Sequence, residues 1–97
     1  MPLFMDIHYR VEGLTADGLR RAHDADLQTQ AKYGVHYLQY WFDAPRGKVF
    51  CLIDAPNAEA ATLVHREAHG LEADEIHEVE EGVSIVDGSY CVSGVAG

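Results

Sequence analysis

The chain has 97 residues, 47% of them hydrophobic, which is enough for one modest core and not for two. Seven basic against sixteen acidic side chains give a formal charge of −9, a balance that repels a phosphate backbone and argues against nucleic acid as a partner. No apolar run approaches the ~20 residues of a membrane-spanning helix, the start Met1–Asp6 lacks a basic and an apolar leader region, and two cysteines make no disulfide framework, so a cytoplasmic protein with reduced thiols is expected.

Leu3, Met5, Ile7, Tyr9 and Val11 alternate with Phe4, Asp6, His8 and Arg10, the period of a half-buried strand. Gly13 breaks it. Thr15 is a fair N-cap, with Asp17 in the first turn, for a helix running to about Lys32. Its periodic face is Leu19, Ala22, His23, Asp26, Leu27, Gln30 and Ala31, and Gly34 stands at C′. Val35–Asp43 and Lys48–Asp54 are rich in β-branched and aromatic residues, and Asp43-Ala44-Pro45-Arg46-Gly47 between them is turn chemistry, which predicts a hairpin. A second helix starts at Pro56-Asn57, with Asn57 as N-cap and Ala60, Ala61, Val64 and Ala68 as its apolar face, and Gly70 ends it.

A last strand is expected over about Glu75–Glu80. Residues 1–82 then form one domain, and 83–97 a Gly/Ser-rich tail with room for a short edge strand at Val83–Val86. The order β-α-β-β-α-β predicts a ferredoxin-like α+β domain, an antiparallel sheet with both helices on one face. Tyr37, Leu38, Tyr40, Trp41 and Phe42 put large apolar groups on both faces of the second strand. A second subunit packing sheet to sheet, as in a dimeric α+β barrel, is the simplest cover, and the chain's own tail is the other.

Six histidines invite a metal reading. His65 and His69 stand at i and i+4, so both imidazoles can reach one ion, although His-x-x-x-His alone is common and equally suits a cation near a helix C-terminus. His23 and Asp26 pair at i and i+3 on the first helix. Asp6 and His8 share one face of the first strand. Asp6, His8, His23, Asp26, His65 and His69 are therefore the candidate ligands, an imidazole and carboxylate set that suits nickel, zinc or copper better than calcium or magnesium. His36 and His77 read as surface or edge residues, Arg66 and Glu67 as a solvated helix face, and Cys51 as a packed thiol. The competing reading is an enzyme in which His23 or His65 acts as general base on a small organic substrate held among the tyrosines and Trp41. No nucleophile elbow, phosphate-binding loop or dinucleotide fingerprint accompanies it.

Met5-Asp6-Ile7-His8, Ala22-His23-Asp24-Ala25-Asp26-Leu27, Lys32-Tyr33-Gly34-Val35, Gly47–Leu52 with Ala55-Pro56, and Val64-His65-Arg66-Glu67-Ala68-His69-Gly70-Leu71 together resemble a family of small bacterial proteins that includes a nickel-binding member. The resemblance spans Leu3 to Gly82. It implies a ferredoxin-like homodimer that binds nickel, in storage or sequestration; the ligand set above rests on spacing, and the residues by themselves favour a non-enzymatic metal binder with zinc as the alternative ion.

Overall fold

The elements are β1 (Leu3–His8), α1 (Ala16–Thr29), β2 (His36–Asp43), β3 (Lys48–Asp54), α2 (Ala58–Ala68), β4 (Glu75–Val79), β5 (Val83–Val86) and β6 (Ser89–Val92), in a computed structural model that describes residues 2–86 and 89–92. The first four strands form an antiparallel sheet in the order β2-β3-β1-β4, the ferredoxin-like α+β arrangement. The strand expected at Val83–Val86 is present, but it pairs with β6 in a hairpin of its own instead of extending that sheet. Residues 87–88 and 93–97 of the expected tail lie outside the described residues.

The helix ends follow from their caps. Thr15 accepts from the Gly18 N–H and Asn57 from the Ala60 N–H, each satisfying a donor that a helix start leaves free. A 3₁₀ turn over Gln30–Tyr33 prolongs the first helix to Gly34, whose φ of 67° is the left-handed geometry expected after a helix end. The β2–β3 turn is stapled by Asp43, which accepts from the Arg46 backbone and pairs with its guanidinium at 3.1 Å.

β1 is shorter than its alternation predicts, stopping at His8, and its phase is unexpected. Phe4, Asp6 and His8 are buried, while Leu3, Met5 and Ile7 are only partly so. Antiparallel pairing sets Asp6 opposite Cys51 on β3 and Ile76 on β4, and Cys51 opposite Tyr40 on β2. One row of side chains on the helix-covered face therefore runs through Asp6, at the centre of the sheet. Around it Val35, Ile53, Ala55, Ala61 and Val64 are fully buried and close the core. Full burial of a side chain such as Ile53 contributes roughly 1.5–3 kcal/mol. The opposite face carries Leu3, Met5, Leu52 and Trp41 around one groove, which no helix covers.

Candidate metal centre

Two helices and the central strand bring their polar residues to one point. α1 buries a single side chain, and it is Asp26, not an apolar one; Leu27, expected on the same inward face, is 42% exposed. α2 buries His65 with Ala61 and Val64. Asp6 and His8 rise from β1 beneath them.

His65 is the hub. Its Nδ1 lies 2.9 Å from Asp26 Oδ1 and its Nε2 lies 2.9 Å from Asp6 Oδ2. A carboxylate oxygen only accepts, so both ring nitrogens must donate and the ring is an imidazolium. Burial alone would lower its pKa, but the two carboxylates outweigh burial and raise it to about 9. The reverse holds for its partners. Burial alone would raise Asp6, yet His65 and His8 beside it hold the carboxyl down at about 2. Asp26 is likewise lowered against its burial by His65 and His69.

The remaining imidazoles surround this triad. His69, the C-cap residue of α2, brings Nε2 to 3.1 Å from Asp26 Oδ1, and its ring centroid lies 4.8 Å from that of His65. His8 Nε2 stands 3.3 Å from Asp6 Oδ1 without the alignment of a hydrogen bond, so that fully buried oxygen has no hydrogen-bond partner. Donor atoms of Asp6, His8, Cys51 and His65 lie within 4.8 Å of one another, as do those of Asp26, His65 and His69.

The structure thus gathers Asp6, His8, Asp26, His65 and His69, and keeps His23 out of the cluster. His23 lines the adjoining cavity, with its ring centroid 4.7 Å from that of Tyr40. Two participants were not among the candidate ligands: Cys51, expected as a packed thiol, and Tyr37, expected as a sheet aromatic. Cys51 faces Asp6 through strand register, and burial, then Asp6, pushes its thiol pKa far up. Tyr37 lies with its ring 4.5 Å from His65 and donates from its hydroxyl to the Ala61 carbonyl at 2.8 Å, fixing one wall of the site. Alternation along β3 and β2 puts these residues on a face, but only the register shows which neighbour they meet. His36 and His77 are exposed, His77 beside Glu75 at 2.7 Å; Arg66 pairs with Glu72, and Glu67 with Lys32 and Tyr33, all at the surface.

Among the described residues, no pocket of the size that the competing organic-substrate reading requires is formed around His23. Trp41 opposes Phe50 on the uncovered face of the sheet, whereas Tyr40 meets His23 on the other. The cavity at His23 has a volume of about 30 Å³, far below the roughly 300 Å³ at which pockets for organic ligands begin. Among the described residues no helix is long and apolar enough to cross a membrane.

Comparison with known proteins agrees with this architecture. Residues 4–79 match the family described as nickel responsive protein SCO4226-like. The crystal structure of SCO4226 from Streptomyces coelicolor A3(2) superposes with a TM-score of 0.75 at 47% sequence identity, covering 79% of this chain and 94% of that one. A search of curated proteins finds no match. The matched span contains both capped helices, the four-stranded sheet from Phe4 to Val79 and every residue of the Asp–His cluster, and the chain belongs to the SCO4226-like family of nickel-responsive proteins.

Proposed function

We propose that this chain binds nickel in the Asp–His cluster and acts as a cytoplasmic, non-enzymatic store or sink for the ion. The observation that carries the reading is the buried oxygen Asp6 Oδ1, which has no hydrogen-bond partner, on a carboxylate that lies within 4.8 Å of donor atoms of His8, Cys51 and His65. Leaving a buried acceptor unpaired costs about 1–3 kcal/mol, and a cation removes that cost. Ligands about 2.1 Å from one ion lie roughly 3–4 Å apart, so donors already within 4.8 Å close on it by small side-chain rotations. Asp6 and His8 would hold the ion together with His65, and Asp26 and His69 form a second donor set that shares His65. Imidazole and carboxylate are borderline and hard donors that suit nickel, with zinc as the alternative, and the family's nickel responsiveness favours the first. Cys51, kept protonated by burial, would join only as a thiolate that the ion itself stabilises.

Titration calorimetry on chelator-stripped, untagged protein tests this directly. Saturable heat with nickel is expected, and His8→Ala should weaken binding tenfold or more while the protein stays folded. No heat with nickel or zinc at neutral pH rejects the reading. The same proposal includes a homodimer, because Leu3, Met5, Leu52 and Trp41 form an apolar sheet face around a groove that is open among the described residues. Sedimentation should give a dimer at micromolar concentration, and Leu52→Asp should yield a monomer.

A further inference from the structure

We propose that the cavity beside the donor cluster is a second ligand pocket, one that takes a small anion of two or three atoms and presents it to both His23 and the ion site. The inference rests on the nickel-binding reading and concerns what else that site admits. Three features of the cavity carry it.

The first is the composition of its walls. His8, Asp26 and His65 line the cavity, so a molecule in it lies close to residues of the donor cluster; Leu19, Ala22 and Leu71 line it too, apolar side chains that offer such a molecule no hydrogen bond. A buried ion site usually finishes its own coordination with protein atoms, whereas one left facing a void keeps a position for an outside ligand. Leu71, 46% exposed, stands at the lip, so the void communicates with solvent.

Size is the second feature. One water needs about 10–15 Å³ of such volume, so 30 Å³ holds two water positions, or one ligand of two or three heavy atoms in their place. Amino acids, sugars and organic acids of more than about three heavy atoms exceed this volume.

Charge and His23 supply the third. A divalent ion offsets the two carboxylates Asp6 and Asp26, so the loaded cluster no longer repels an anion. Outside the donor cluster the cavity is also lined by two ionisable side chains, His23 and Tyr40. The His23 ring packs on Tyr40, and among the described residues it makes no side-chain hydrogen bond or ion pair, leaving its N–H for a ligand. Charge-assisted donation from an imidazole favours an anion over a neutral molecule of the same size.

Azide is the probe. Added to nickel-loaded protein, it should produce a saturable absorption change with a stoichiometry of one per site. His23→Phe keeps the ring against Tyr40 but removes the N–H, and should weaken azide binding tenfold or more while nickel affinity stays within about twofold. Ala22→Leu, which fills the void, should abolish the azide response and also leave nickel bound. A saturable response that is equal in wild type and both variants would overturn the proposal, because the anion would then bind elsewhere. No response in a protein whose own nickel bands show the ion in place would overturn it while leaving the nickel reading intact. Absence of the nickel bands before azide is added would overturn both.

Discussion

Replacing His65 with alanine isolates the energetics of the site. The substitution leaves Asp6 and Asp26, both at least 96% buried by side chain, without the imidazolium that each now contacts at 2.9 Å. Removing one partner from a buried ion pair costs about 3–5 kcal/mol, because the charges left behind are uncompensated. For a domain of this size 1 kcal/mol moves Tm by about 4–8 °C, so metal-free His65→Ala should melt roughly 15–30 °C below the parent at pH 7. The pH dependence is the sharper test. In the parent, Asp6 lies at about 2 against an ordinary 3.8, so its contribution is complete above 3.8 and lost only as pH falls through 2. Without the imidazolium, burial dominates and raises both carboxyls, and the folded variant gains stability as they protonate. The gap between variant and parent in urea unfolding should therefore narrow by about 1 kcal/mol or more between pH 6 and 4, a range in which the parent's His65 contribution is already complete, one unit of carboxyl shift corresponding to about 1.4 kcal/mol. A loss under 1 kcal/mol at pH 7, or a gap that widens on acidification, would refute the triad as the organising interaction of the core.

Metal-free parent protein should lose stability as pH rises through 9. His65 sits near 9 in the fold against an ordinary 6.5, so its contribution, about 3 kcal/mol, is complete below 6.5 and gone above 9; thermal scans from pH 6 to 10 should show the fall, and His65→Ala should not. Nickel binding should have the opposite slope, because the ion displaces the His65 proton: affinity measured by calorimetry should rise about tenfold per pH unit between 7 and 9, with proton release visible as a dependence of the heat on buffer ionisation. Gly47→Ala should destabilise the β2–β3 turn by about 1–3 kcal/mol in urea unfolding, since φ is +69° and an added Cβ would sit 3.1 Å from the Val11 carbonyl oxygen.

The elements were readable because their ends carry chemistry. Thr15, Asn57, Gly34 and Gly70 mark helix boundaries by side-chain acceptors or left-handed backbone, and such signals are local. What alternation could not supply was phase. In β1 the more apolar set is Leu3, Met5 and Ile7, which by hydrophobicity belongs inside, yet Asp6 and His8 face the helices. The inversion is tolerable because the sheet is apolar on both sides and the buried pair is matched to His65. Helix phase misled in the same way at Leu27, which is exposed while its neighbour Asp26 is buried. Cys51 and Tyr37 enter the site through strand register, a long-range property that no short window of sequence records.

The Asp–His–Asp triad also explains how the site can exist without its ion. A cluster of two bare carboxylates in this core would be expelled by desolvation, and many small metal sites are unfolded until metal supplies the missing charge. Here the proton on His65 supplies it: one imidazolium between two carboxylates leaves a single net negative charge, spread over oxygens that His8 and His69 also approach. Exchanging that proton for a divalent ion raises the positive charge by one and satisfies Asp6 Oδ1 as well. On the proposed function, loading would be an ion exchange within a prebuilt frame, not a folding reaction. The helices need move only by side-chain rotation, and the ion's affinity is set by competition with one proton. On that proposal the site would fill and empty with pH and metal supply while the fold persists, which is the behaviour required of a store.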